Sequence, residues 1–162
     1  MKKIISAFLV VFLIVPAALA ADSTYYVVRH AEKMDGDNPV LTQKGVQRAA
    51  HIAGMLKDAP LKAIYSTDTN RTIMTATATA AAKGLAVELF STDDLQAFAD
   101  KLKAMDGTYL IVAHSSSTPD LASLLSGTTQ PKLDESDYEQ LFIVTITDGA
   151  ASLEQTTTTF ND

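Results

Sequence analysis

Beyond its first twenty residues the chain alternates short apolar runs with stretches whose apolar residues recur every three or four positions. Apolar runs of four to eight residues between polar turns suit buried strands, and the three-to-four spacing suits amphipathic helices. Tyr25–Val28 predicts a first strand. Thr42–Lys57 predicts a helix with Val46, Ala49, Ala50, Ala53 and Leu56 on one face, Thr42 as its cap, and Leu41 with Val46 at hydrophobic-staple spacing. "LKAIYS" (61–66) predicts a second strand, and residues 70–83 a helix closed by Gly84. Its "TATATA" segment also suits a strand, but the following Ala80-Ala81-Ala82-Lys83-Gly84 decides for helix.

"AVELF" (86–90) predicts a short strand, Asp93–Met105 an amphipathic helix and "TYLIVA" (108–113) a buried strand. Thr118 and Pro119 then read as the cap and first position of a helix that ends before Gly127. "LFIVTIT", Asp148-Gly149 and "AASLEQTTTTF" form a hairpin pattern, because Asp-Gly suits a type I′ turn. The order β-α-β-α-β-α-β-α-β-β predicts a three-layer α/β/α fold with a mostly parallel central sheet and an antiparallel C-terminal edge hairpin. Residues 128–139, polar and acidic, read as a solvated connection. The pattern contains neither an internal repeat nor an interdomain linker.

Residues 1–20 stand apart. Met1-Lys2-Lys3 is a basic start, an apolar run follows, and Ala18-Leu19-Ala20 fits a cleavage site, the pattern of a secretory signal peptide. Its removal leaves 142 of the 162 residues, 21–162, a length for one domain with one core. The expected location is periplasmic or secreted. No stable membrane anchor is expected after cleavage, and a lipidated cysteine is excluded because the chain has no Cys. For the same reason stability rests on packing and not on disulfides. Loss of Lys2 and Lys3 takes the formal charge from −6 to −8. Such a surface argues against nucleic acid as a partner, so any anion must be met by a local basic pocket.

In open α/β sheets ligands bind beyond the carboxyl ends of the strands. The first strand releases Arg29 and His30, the second releases "STDTNR" with Arg71, and "TYLIVA" releases His114 followed by Ser115, Ser116, Ser117 and Thr118. Two Arg and two of the three His thus converge on one rim. Arg offers planar donors matched to phosphate oxygens, and helix N-termini add N–H groups and a favourable dipole. His51, off the predicted apolar face of its helix, reads as solvent-facing. No Cys cluster or H-x-x-x-H spacing offers a metal site.

These segments resemble a known family. "VVRHAEK" resembles the Arg-His-Gly type signature of the histidine phosphatase superfamily, the phosphoglycerate mutase-like proteins, in a branch with Ala after His. "LTQKGVQRA", "IYSTDTNRTIMTA" and "IVAHSSSTPDL" are similar to its following helix, second-Arg and second-His segments, so the likeness runs from about Tyr25 to Val144. The resemblance implies a metal-independent phosphomonoesterase without a cofactor. His30 is its expected nucleophile, and Arg29, Arg71 and His114 bind the transferring phosphoryl group. Asp94 and Glu32 are the candidate general acids; Glu32 alternatively orients Arg29 or His30, and Lys33 is a further candidate contact. The expected partner is a phosphorylated small molecule or an exposed phosphoryl group on a larger one. The alternative is a non-catalytic phosphate-ligand binding protein on the same scaffold. Ala113 stands where family members commonly carry Gly, and its methyl is expected to narrow the approach to the phosphate. Ser115 stands where the larger acid phytases carry their Asp acid, which argues against phytase activity.

Overall fold

In the computed structural model, which describes residues 22–160, six strands and four helices follow in the predicted order. They are β1 (Ser23–Arg29), α1 (Gln43–Met55), β2 (Leu61–Ser66), α2 (Asn70–Lys83), β3 (Val87–Leu89) and α3 (Leu95–Lys103), then β4 (Gly107–Ala113), α4 (Ser117–Ser126), β5 (Gln140–Thr147) and β6 (Ala150–Thr157). The segment read as an export signal lies outside the described residues.

The strand order is β3-β2-β4-β1-β5-β6. The first four in this order run parallel, β5 lies antiparallel to β1, and β6 antiparallel to β5. Asp148 and Gly149 both have positive φ, 51° and 80°, as a type I′ turn requires. β1 is longer than its apolar run because it is paired on both sides. All seven of its residues align with β4, from Ser23↔Gly107 to Arg29↔Ala113. Six also align with β5.

Alternation along the strands sends side chains to two cores. Val28, Ile64, Leu110 and Val112 pack with Ile52 of α1, Leu56 just past its end, and Ala76 and Ala80 of α2. Tyr25, Val27, Tyr109 and Ile111 pack with Phe98 and Leu102 of α3 and Leu121 and Leu125 of α4. α1 therefore sits beside α2 on one face, and α3 beside α4 on the other.

Two helices depart from the expected pattern. Thr42 does cap α1, its Oγ1 accepting from the Gly45 N–H at 3.0 Å. Its inward face, however, runs through Gly45, Arg48, Ala49, Ile52 and Ala53. Ala50 is exposed, and so is Val46 at 51 %, so it does not staple the buried Leu41. Apolar spacing misplaced the face because a glycine and an arginine occupy its centre. α4 begins two residues early, with Ser116 at the cap position and Thr118 and Pro119 inside the first turn. Winding starts at the strand exit, where the His114 N–H donates to Ser117 Oγ (3.1 Å) and the Thr118 N–H donates to the His114 carbonyl (2.9 Å).

Gly45 brings α1 against the segment leaving β1. A Cβ there would lie 2.1 Å from the Glu32 carbonyl oxygen. Gly→Ala inside a helix ordinarily gains up to about 1 kcal/mol. Gly45→Ala should instead destabilise by about 1–3 kcal/mol, because backbone has to move. An unchanged or raised urea midpoint would show that α1 does not need this approach.

Candidate active site

The carboxyl ends of β1, β2 and β4 bring Arg29, His30, Arg71 and His114 together. The His30 N–H donates to the Ala113 carbonyl (2.9 Å), tying the exit of β1 to its neighbour. Next to it, the Ala31 N–H donates to Thr75 Oγ1 (3.0 Å), whose hydroxyl donates to the Arg71 carbonyl (2.7 Å). Thr75 thus locks the first turn of α2 onto the exit of β1.

His30 is 3 % exposed. Its Nδ1 lies 2.8 Å from the Ala31 carbonyl. A carbonyl only accepts, so Nδ1 carries the proton and the lone pair is left on Nε2. Burial, reinforced by Arg29, Arg71 and His114, pushes its pKa down to about 4, against the opposing pull of the Ala31 carbonyl. The ring is therefore neutral at physiological pH, the state a nitrogen nucleophile requires.

His114 meets His30 edge-on, with ring centroids 5.6 Å apart. Its Nδ1 lies 3.3 Å from Arg71 Nη2, which only donates, so Nε2 holds the proton and donates to Thr67 Oγ1 at 2.9 Å. The Thr67 hydroxyl passes on to Thr72 Oγ1 (3.0 Å), which donates to the Thr67 and Thr69 carbonyls. Burial first, then Arg71 and Arg29, lower the His114 pKa to about 4.

Arg29 is 1 % exposed. Its Nη1 donates to the carbonyls of Asp134 (3.0 Å), Glu135 (2.9 Å) and Asp137 (2.8 Å), and the Tyr138 ring lies 4.2 Å from its Cζ. Nη2 pairs with Glu135 Oε2 at 3.0 Å. Residues 134–138 are thus a strap built on the guanidinium, not a merely solvated connection. Arg29 Nε and Arg71 Nε are buried without a protein partner. Orphaned buried donors are costly. Two of them, on cations beside a neutral imidazole, give this rim donors suited to an anion.

Glu135 carried no motif and was missed. Its side chain is 80 % exposed, yet Oε2 holds Arg29 and Oε1 accepts from Ser115 Oγ at 2.5 Å. The Ser115 hydrogen bond, then the Arg29 charge, hold its carboxyl below the usual range. Thr67, Thr75 and Tyr138 were also missed. Hydroxyls and a lone Tyr are too common for spacing alone to single them out.

Neither candidate acid is free. Glu32 makes a two-pronged pair with Arg48, Oε2 to Nε at 2.9 Å and Oε1 to Nη2 at 2.7 Å. Burial alone would raise the Glu32 pKa, but the Arg48 hydrogen bonds outweigh it and hold the group ionised. Arg48, 2 % exposed, also donates to the Thr158 carbonyl (2.9 Å) and reaches Glu139 (3.4 Å). Glu32 therefore ties the segment after His30 to α1, and orients neither Arg29 nor His30 through any hydrogen bond among the described residues. Asp94 caps α3, its Oδ1 accepting from the Ala97 N–H at 2.9 Å. Lys33 pairs with Leu41 through its backbone. The Ala113 methyl packs in the core with Leu121 and Ala122, so it does not narrow the phosphate approach. His51 is half-buried, not solvent-facing, its ring 5.6 Å from that of Phe160.

Residues 25–99 match the sequence model of the histidine phosphatase superfamily (branch 1). The fold is similar to that of the protein histidine phosphatase SixA complexed with tungstate (18 % identity, 83 % of this chain and 97 % of that one, TM-score 0.70). It is also similar to phosphoglycerate mutase from Bacillus anthracis str. Sterne (18 %, 85 % and 93 %, 0.67). A third likeness is to phosphoserine phosphatase from Entamoeba histolytica in complex with 3-phosphoglyceric acid (17 %, 81 % and 94 %, 0.62). At such identities these likenesses establish the fold. No curated protein sequence matches the chain.

Two outcomes test this geometry. His30 and His114 have folded pKa values near 4 against an ordinary 6.5, so the unfolded chain binds more protons between those limits. Their contribution to stability is fully present above pH 6.5 and is lost as pH falls towards 4. Urea midpoints should fall across that window, and less so in His30→Ala. Glu32→Gln strands the buried Arg48 charge and should cost about 3 kcal/mol, part of it recovered when Arg48→Met is added. Additive effects of the two substitutions would show that the pair does not couple.

Proposed function

We propose that this chain is a phosphomonoesterase of the histidine phosphatase superfamily, working through a phosphohistidine at His30. The observation that carries the reading is the neutral His30 imidazole beside two buried guanidiniums whose Nε donors have no protein partner. Phosphate supplies the acceptor oxygens those donors lack, and the field of two cations meets its charge.

In the first step the His30 Nε2 lone pair attacks phosphorus and the bond to the leaving oxygen breaks. The three equatorial oxygens rest on Arg29, Arg71 and His114. His114 enters neutral with its Nδ1 lone pair on Arg71. A phosphate dianion offsets the Arg71 and Arg29 charges that help depress its pKa, so His114 takes up a proton from solvent and becomes a donor to the phosphoryl oxygens. In the second step water attacks phosphorus and gives up a proton to solvent, the N–P bond breaks with its electron pair returning to His30 Nε2, and phosphate leaves. The leaving oxygen takes its proton from solvent, since Glu32 is ionised on Arg48 and Asp94 caps a helix. The two guanidiniums balance the phosphoryl dianion, so the reaction proceeds without a metal. The basic and apolar segment at residues 1–20 supports action in the periplasm or outside the cell.

Phosphate can take the Nε–Nη2 edge of Arg29 only when Glu135 lets go of Nη2. The Glu135 side chain is 80 % exposed, so water screens its half of the pair and replaces Arg29 readily once phosphate supplies charge-assisted bonds in its stead.

Turnover of an aryl phosphate should survive EDTA and vanish in His30→Ala. Full activity in a folded His30→Ala protein would overturn the nucleophile assignment, while phosphate binding without turnover in the parent would favour a receptor. Glu135→Ala should tighten inorganic phosphate binding about two- to fivefold by calorimetry, and weaker binding would make Glu135 a helper and not a competitor. With no fixed acid, aryl phosphates should outrun alkyl phosphates by orders of magnitude. A ratio unchanged by Asp94→Asn is expected; a ratio that rises in that variant would restore Asp94 as the proton donor.

A further inference from the structure

Beside the phosphate position the floor opens into a cavity of about 440 Å³ between the ends of β2, β3 and β4. His114 lines the cavity and also contacts Arg71, so the cavity adjoins the proposed phosphoryl site. The rest of the lining falls into four kinds. Thr67, Thr69, Ser91 and Thr92 supply hydroxyls, Leu89 an aliphatic side chain, Phe90 an aromatic wall and Asp68 a carboxylate, with no Lys or Arg among the lining residues. Phe90 is braced from behind by Phe98, stacked at 4.2 Å and 8°. Asp68 makes no ion pair among the described residues.

The charges decide what this cavity takes. Arg29 and Arg71 carry two positive charges, and a phosphoryl dianion cancels both. His30 is neutral, and the charge His114 gains on binding is spent on the phosphoryl oxygens. What then faces the leaving group is the Asp68 carboxylate, with the Glu135 carboxylate tethered to Ser115 across the same rim. A carboxylate on the leaving group would meet like charge and no cation in the lining, whereas an ammonium would meet Asp68 and an aromatic wall suited to cations.

We propose that this cavity is the leaving-group subsite and that it selects phosphomonoesters bearing an ammonium on the leaving group over those bearing a carboxylate. Asp68 is its specificity-determining residue. The inference rests on the phosphatase reading for the position of the phosphoryl group.

Two phosphonates of matched reach, 2-aminoethylphosphonate and 3-phosphonopropionate, test it without turnover, because their carbon–phosphorus bonds are not phosphate esters. Calorimetric titration of the protein, with inorganic phosphate as the reference in every variant, should show the aminoethyl compound binding about tenfold tighter or more. Asp68→Asn should bring the two affinities close together, and Asp68→Lys should reverse their order. Equal affinities in the parent, a preference for the carboxylate, or a preference that survives Asp68→Asn would each overturn the proposal. Aryl phosphate turnover with such a flat ratio would sink the subsite and leave the phosphatase standing. Failure of inorganic phosphate itself to bind would sink both.

Discussion

The buried guanidinium of Arg29 is the constraint around which the rest of the site is arranged. A cation at 1 % exposure is tolerated only when its donors are met. The chain meets one side of it with three backbone carbonyls from residues 134–137 and a Tyr138 ring, and leaves Nε for an anion. The strap is therefore ordered by the same group that would bind phosphate. Loss of Arg29 would remove a ligand and release the strap together.

A second buried arginine does the structural counterpart. Arg48 joins Glu32 after the first strand, Glu139 at the end of the strap and Thr158 after the last strand. Those positions are far apart in sequence and meet at Arg48. The close approach of Gly45 to Glu32 lets α1 deliver Arg48 there. One arginine faces the chemistry and the other holds its frame, and each needs a different part of residues 134–139.

Much of this was legible in the sequence, and for identifiable reasons. Strand-ending Arg29, His30 and His114 are placed by the rule that binding residues leave the carboxyl ends of parallel strands, and Arg71 by its position in the first turn of α2. The hairpin is legible because Asp148-Gly149 has one favoured geometry. Strand order was not legible, since periodicity says which face is buried and not which neighbour is chosen. Nor was the inward face of α1, because Arg48 counts as polar until its carboxylate partner is known. Glu135 was invisible for a similar reason: in an acidic loop one carboxylate looks like the next, and only the fold brings this one to Arg29.

The position of β1 carries a consequence for how the molecule comes to exist. The strand made first lies in the middle of the sheet, and its two neighbours begin at residues 107 and 140. Until those are available it has nothing to pair with, so the earliest residues of the fold are among the last to be secured. Contacts of such long sequence separation slow folding. A nascent chain would keep the strand that ends at Arg29 and His30 unpaired through most of synthesis, and would complete the cluster of Arg29, His30, Arg71 and His114 with its strap only as the final hairpin forms.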